Sequence, residues 1–228
     1  IETSIIKTSG APDTSTIGFV GQQYIDTDTN KSYMCVDIEG ATYTWKQIAL
    51  NLNCYYFDDL ESMVTAINNN TFSEDNKEQL STSVVKITTG LNAPIVDILA
   101  DVTTESDLSI SKSCIINLNG HTVTVNNDGR LKFINSTSST EVTINAADAT
   151  IQRAGTQSAA KNLITFMGYS LTINGGNFNE YNSRDNAATV CSPLAVNNAT
   201  AKIYIYGARL EAAGRYRGFG AYLYKFSS

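Results

Sequence analysis

Apolar residues recur along this chain in a pattern that predicts its architecture. From residue 108 onward four segments line up: IINLNGHTV, VTINAADAT, LTINGGNFN and IYIYGARLE. Aligning Ile116, Val142, Leu171 and Ile203 gives spacings of 26, 29 and 32 residues. Two residues on, Leu118, Ile144, Ile173 and Ile205 are all apolar. The next position holds Asn119, Asn145, Asn174 and Tyr206, and the one after it the small residues Gly120, Ala146, Gly175 and Gly207. A second strand-like run follows in each unit: RLKFINS, NLITFMG, SPLAVNN and AYLYKFS. Repetition at this period predicts stacked coils, because one unit cannot bury its own apolar face and must stack on the next. Side chains alternate inward and outward along each short strand, and small residues allow a sharp corner after it. The aligned asparagines predict a ladder of side-chain amides in a buried corner. The expected fold is all-β: a right-handed parallel β-helix with about four well-defined coils and one or two irregular coils before them.

Upstream, the periodicity changes. FDDLESMVTAINNN places Leu60, Val64 and Ile67 on one helical face, with Asp58 or Asp59 to cap the start and the asparagine run to end it. Residues 71–83 read as loop or a further short helix, and VVKITTGLNAPIVDILADV as short β runs. Before the helix, GQQYIDTDTNKSYMCVDIEGATYTWKQI alternates in a third pattern. Tyr24, a turn at DTDTN, then Tyr33, Met34 and Val36, a turn at EG, then Tyr43 and Trp45 predict a small antiparallel three-strand meander. Two domains are therefore expected, 1–50 and 51–228.

Both parts carry family resemblances. TSGAPDTST, GQQYIDTDT, KSYMCV and YTWKQI resemble a small module near the start of phage tail-fibre and tail-associated proteins. That resemblance covers about 45 residues and implies an attachment role. IVDILADVTTESDLSISKSCIINLNGHTVTV resembles the first coils of pectin-lyase-like β-helix proteins of phage and bacterial surfaces. It extends over roughly residues 55–226 and implies that the helix at residues 57–69 caps the N-terminal end of the coil stack; it is specific for fold, and the fold hosts lyases, hydrolases, adhesins and inert stalks alike. Phage spikes of this class are commonly trimers, so the resemblance implies a homotrimer that meets other phage structural proteins, in a virion or at an extracellular surface. The last coil, closing on GFGAYLYKFSS, has no polar helix after it; a truncated sequence, a cap formed by the 219–226 strand, or burial in an oligomer would each account for this, and the resemblance to phage spikes favours the last.

Composition narrows the function. Thr, Asn and Ser number 26, 22 and 21, nearly a third of 228 residues, against one His and 17% charged residues. That balance suits strands and tight corners and is poor in catalytic groups. The net charge of −6 argues against a nucleic-acid partner, and no apolar run is long enough for a membrane helix. Residues 1–100 carry 13 acids and 5 lysines, whereas residues 101–228 carry 9 acids and 11 bases, so the two parts are expected to meet different partners. Neither a signal peptide nor an initiating Met is visible. Cys35, Cys54, Cys114 and Cys191 form no CxxC pair; buried free thiols are expected, with a Cys35–Cys54 bridge the open alternative. No metal or cofactor is expected.

The coils offer two candidate chemistries. Arg130, Arg153, Arg184 and Arg215 lie 14, 11, 13 and 12 residues past their coil starts, which predicts a cationic stripe beside Tyr181, Tyr216 and Phe219. Guanidinium forks grip carboxylates at two points and aromatic rings stack on sugars, so the stripe suits an anionic cell-surface polysaccharide. Catalysis on a glycan would need two facing carboxyls. Glu180 with Asp185, or Glu180 with Glu211 on the next coil, are the candidate pairs, with solvated loop acids as the plainer reading. His121, alone in a turn, reads as a corner residue. The poverty in catalytic groups favours a noncatalytic protein, and the two resemblances imply a structural or receptor-binding protein of a phage tail or phage-like particle presenting its surface to a cell-envelope glycan. A polysaccharide depolymerase or a bacterial surface adhesin is the alternative.

Overall fold

The computed structural model of the chain describes residues 5–28, 31–48, 52–90, 93–134, 140–155, 157, 162–182, 192–214 and 221–223. The chain divides into two compact units, 1–51 and 52–228. The first is a four-stranded sheet of β1 (Ile6–Thr8), β2 (Gln23–Asp26), β3 (Lys31–Glu39) and β4 (Thr42–Ile48), in that order. The expected meander, β2–β3–β4, is antiparallel, but β1 adds a fourth strand parallel to β2, with Ile6 opposite Tyr24. Tyr24 is buried edge-on to the rings of Tyr33 and Trp45, with centroids 6.3 and 5.5 Å away. Its hydroxyl donates to the Gly10 carbonyl at 2.9 Å, and the Trp45 indole N–H to the Thr16 carbonyl at 3.0 Å. The polar tips of these rings thus pin the segment between β1 and β2.

The second unit opens with β5 (Asn53–Phe57), α1 (Leu60–Asn69) and β6 (Val85–Thr89). The Asp59 carboxylate caps α1, accepting from the Ser62 N–H at 2.6 Å, and Asn70 closes it in the left-handed conformation. Leu60, Met63, Val64, Ala66 and Ile67 face one way and join the apolar core together with Val96, Ile98, Leu108 and Ile110. Helix and first strands therefore bury one continuous surface.

Five three-strand coils follow. They are β7 (Ile95–Ile98), β8 (Val102–Thr104) and β9 (Asp107–Ile110); β10 (Cys114–Asn117), β11 (Thr122–Asn126) and β12 (Arg130–Phe133); β13 (Glu141–Asn145), β14 (Thr150–Ala154) and β15 (Ile164–Phe166); β16 (Ser170–Asn174), β17 (Asn177–Asn182) and β18 (Leu194–Val196); and β19 (Lys202–Tyr206), β20 (Arg209–Gly214) and β21 (Ala221–Leu223). Equivalent strands pair in parallel and build three sheets: β19-β16-β13-β10-β7 continued by antiparallel β6 and β5, then β20-β17-β14-β11-β8, then β21-β18-β15-β12-β9. This is a mostly parallel, β-helix-like stack. The expectation of two strands per coil is corrected to three. In the third and fourth coils the strand between them escapes an apolar search because it carries Arg153 and Glu180 at inward positions.

The register of the first repeat is also corrected. Cys114, not Ile116, lies opposite Val142; Val142 lies opposite Leu171, and Leu171 opposite Ile203. A two-residue slip keeps every apolar position on its own face, so alternation alone cannot detect it. The amide ladder accordingly runs through Asn117, Asn145 and Asn174 and omits Asn119, which turns a corner at φ 51° and donates to the Ile98 carbonyl. Asn174 donates to Asn145, Asn145 to Asn117 and Asn117 to the Asp97 carboxylate, each at 2.8 Å. Asp97 ends the ladder and pairs with Lys86 at 2.8 Å. The ladder side chains are half-buried on the outer side of the sheet rather than sealed in a corner. Asn145 gives one bond and receives one, so Asn145→Ala is expected to cost about 1–2 kcal/mol in urea unfolding. Asn119→Ala loses one bond and a residue suited to positive φ, and serves as the comparison.

Coil corners need close approach as well as positive φ. At Gly176, φ is +88° and an added Cβ would stand 2.5 Å from the Ala146 Cβ and 2.6 Å from its carbonyl oxygen. Only glycine lets the fourth coil sit this close upon the third. Inside the stack, Phe133, Phe166 and Phe178 are fully buried, with Leu163, Ile164, Leu171 and Ile173 around them.

Candidate functional site

The sequence-predicted arginines do not form one stripe. Arg130 opens β12 in the third sheet, where its Nε and Nη2 reach the two oxygens of Asp107 at 3.0 and 2.6 Å. Lys132 joins the same carboxylate at 3.0 Å. Arg153 lies in the second sheet on β14 and points inward, its side chain closed to solvent. The difference in their offsets, 14 against 11, carries them to different sheets. Arg184, Arg215, Tyr216, Phe219 and Asp185 lie outside the described residues. Tyr181 on β17 is 49% exposed.

The Asp107 cluster has a readable pH signature. Hydrogen bonds from Arg130 and Lys132 hold the Asp107 carboxyl down at about 2. A depressed acid stabilises the folded state above its ordinary value near 3.8, and that contribution is lost as pH falls toward 2. Asp107→Asn is therefore expected to flatten the melting-temperature profile between pH 4 and about 2. Being near the surface, it should cost under about 1 kcal/mol at pH 6.

The proposed carboxylate pairs fare differently. Glu180 accepts from Arg153 Nε and from the Gln157 amide, both at 2.7 Å, and its side chain is fully buried. Arg153 Nη1 also donates to the carbonyls of Asn127 and Gly129 at 2.8 and 2.7 Å. Burial pushes the Glu180 carboxyl up to about 7, against the pull of Arg153 and Gln157. Arg153 Nη2, Gln157 Oε1 and Glu180 Oε2 have no partner among the described residues, so within them the cluster keeps hydrogen-bonding capacity in reserve. Glu211 does not join it. Glu180 lies opposite Ala212, and Glu211 opposite Asn179, so the two acids point to opposite faces of the sheet. Glu211 instead meets Arg209 at 3.2 Å on the outside. Their offsets of 9 and 8 residues differ in parity, which was the signal for this separation.

The structure assembles a different surface, on the outer face of the seven-stranded sheet. One row runs through Ile95, Ile115, Thr143, Thr172 and Tyr204; the next is the amide ladder, ending at Tyr206. Tyr204 and Tyr206 are 43% and 59% exposed. Beside them Lys202 stands over the Tyr169 ring, 5.1 Å from its centroid. Hydroxyls and amides thus lead at strand spacing to two free aromatic rings and a cation. The signal was IYIYG itself, in which tyrosines take the outward parity and isoleucines the inward one. The second sheet presents a similar polar row, where the Gln152 amide donates to the Thr124 hydroxyl at 3.3 Å.

Other chemistry is limited. Among the described residues no group of three or more His, Cys, Asp or Glu is placed to hold a metal ion. Cys35, Cys54 and Cys114 are free thiols, and burial pushes the Cys114 thiol up to about 12, which makes it a poor nucleophile; Cys191 lies outside the described residues. His121 Nδ1 lies 3.5 Å from Asp101 at a coil corner. Among the described residues no helix is long and apolar enough to cross a membrane. No protein-family model, curated protein or solved structure matches the chain.

Proposed function

We propose that the chain is a noncatalytic receptor-binding protein of a phage tail or phage-like particle. Its first unit attaches it, and its coils, read as a right-handed parallel β-helix capped by α1, present a rigid polar face to a cell-envelope glycan. The observation that carries this reading is the outer face of the seven-stranded sheet, where Thr143, Thr172, Asn145 and Asn174 lead to Tyr204 and Tyr206. Such a face offers a sugar polymer hydrogen bonds on a regular spacing and rings on which to stack. Arg130, Tyr181 and the Arg209–Glu211 pair provide further contacts for charged sugars on neighbouring faces. The tail-module resemblance of residues 1–50 supports the setting in a virion, and the resemblance of the coils to β-helix phage spikes supports a homotrimer. The depolymerase alternative draws on the raised Glu180 carboxyl, a property suited to a general acid. That carboxyl is closed to solvent and committed to Arg153, which favours binding over cleavage.

An array of neutral and acidic envelope polysaccharides, read for both retention and released reducing ends, tests this. Retention without release is expected, and Tyr204→Ala with Tyr206→Ala should weaken it at least tenfold while leaving the melting temperature within a degree or two. Release of oligosaccharides would move the protein to the depolymerases. Absence of retention would remove the glycan role.

A further inference from the structure

Across the seven-stranded sheet from Tyr204 and Tyr206 lies a second, unrelated opening. A cleft of about 540 Å³ sits beside the C-terminal end of α1. That volume falls within the range of roughly 300–1,000 Å³ typical of small-molecule sites. Ile67, Phe72 and Pro94 supply its apolar wall; Asn70, Thr89 and Ser113 supply amide and hydroxyl groups; Lys112 supplies a cation. No carboxylate lines it among the described residues.

The walls are fixed rather than incidental. The Asn68 amide donates to the Ser109 carbonyl at 2.6 Å, and its oxygen accepts from the Ser111 N–H and hydroxyl at 2.8 and 3.0 Å. The corner that carries Lys112 is thereby tied to the helix. Ser113 is held in turn by the Glu141 N–H, which donates to its hydroxyl at 3.0 Å. The Phe72 ring stacks on Tyr55, with centroids 4.8 Å apart.

Charge makes the cleft directional. The end of α1 beside Asn70 carries the partial negative charge of the last carbonyls and favours hydrogen-bond donors. Lys112, on another element, favours an anion. A ligand must therefore offer hydroxyl donors toward the helix end, a carboxylate toward Lys112 and a C–H surface to Phe72 and Pro94. We propose that this cleft binds a carboxylate-bearing sugar, of which a hexuronate is the simplest. A phosphate ion offers no C–H surface to Phe72 and Pro94, and a neutral hexose would leave the cation unused. The site stands independently of the Tyr204–Tyr206 face, because none of its residues belongs to that face.

Titration of the full chain with glucuronate, glucose and inorganic phosphate, followed by amide chemical shifts, tests the assignment. Glucuronate is expected to shift Asn70, Thr89 and Lys112–Ser113 saturably, and to bind at least tenfold more tightly than glucose or phosphate. Lys112→Met should erase that preference, and Thr89→Val should weaken glucuronate several-fold. Both side chains lie at the cleft lining, so unchanged melting temperatures will show that the variants fold. Absence of saturable shifts with glucuronate would overturn the proposal. So would equal binding of phosphate, or glucuronate binding unaltered in Lys112→Met. Polysaccharide retention lost through Tyr204 and Tyr206 but indifferent to Lys112→Met, with no shifts at the cleft, would sink this site and leave the face intact.

Discussion

Replacing Arg153 by Ala is expected to lower the unfolding free energy of the coil unit by about 3–5 kcal/mol, because it strands a carboxyl inside the stack. Glu180 and Arg153 have no exposed side-chain surface, and the guanidinium also satisfies the Asn127 and Gly129 carbonyls. Losing it removes a charge partner and two backbone acceptors' bonds together. The loss should depend on pH in a definite sense. The folded-state Glu180 lies at about 7 against an ordinary 4.5, so its proton is held more tightly in the folded chain. A raised acid leaves stability intact below about 4.5, and stability is lost as pH rises through about 7. Without Arg153 the carboxyl is pushed higher still, so Arg153→Ala should be more damaging at pH 8 than at pH 5. The double change Arg153→Met with Glu180→Leu should recover much of the loss, since well-packed apolar groups replace buried pairs at little cost. Urea unfolding of the three variants at the two pH values decides this. A loss below about 1 kcal/mol for Arg153→Ala would mean that water reaches the pair.

The same pair explains why the sequence was only partly legible. Stacked coils follow from apolar alternation and from a repeat near 30 residues, both of which reflect the pleat and the circumference of a coil. The middle strand is hidden in the third and fourth coils because TIQRA and NFNEYN break that alternation with Arg153 and Glu180, whose inward placement makes sense only once they face each other. Strand β1 is similarly invisible: three residues, IKT, pair with a strand far along the chain and carry no local turn signal. The candidate site suffered from counting residues past a coil start without regard to parity or corner length. Glu180 and Glu211 differ by one in that count and point oppositely; Arg130 and Arg153 differ by three and occupy different sheets. Tyr204 and Tyr206 were open to the same parity argument, which places them outward. The cleft beside α1 had no sequence signal, because its lining comes from three separated stretches, 67–72, 89–94 and 112–113, brought together by the entry strands.

Phe178→Ala is the second large effect, expected to cost about 3–5 kcal/mol through a cavity in the middle of the stack. Phe178 is fully buried on β17, opposite Ile151 below and Leu210 above. Three consecutive coils therefore share its ring, and a rigid corner at Gly176, already in contact with Ala146, limits how far they can collapse around the gap. Phe178→Leu keeps most of the volume and should cost clearly less, about 1–2 kcal/mol. Because each coil is held chiefly by its neighbours, the damage should be local before it is global. Hydrogen exchange on Phe178→Ala is expected to show lost protection first in β14, β17 and β20, with α1 and β5–β7 retaining theirs. Uniform loss across the unit would instead mean that the five coils unfold as one cooperative block. In that case weakened polysaccharide retention in a core variant would track the folded fraction alone. Under local unfolding, the Tyr204–Tyr206 face would fail while the helix end still stood, and retention would be lost ahead of the global transition.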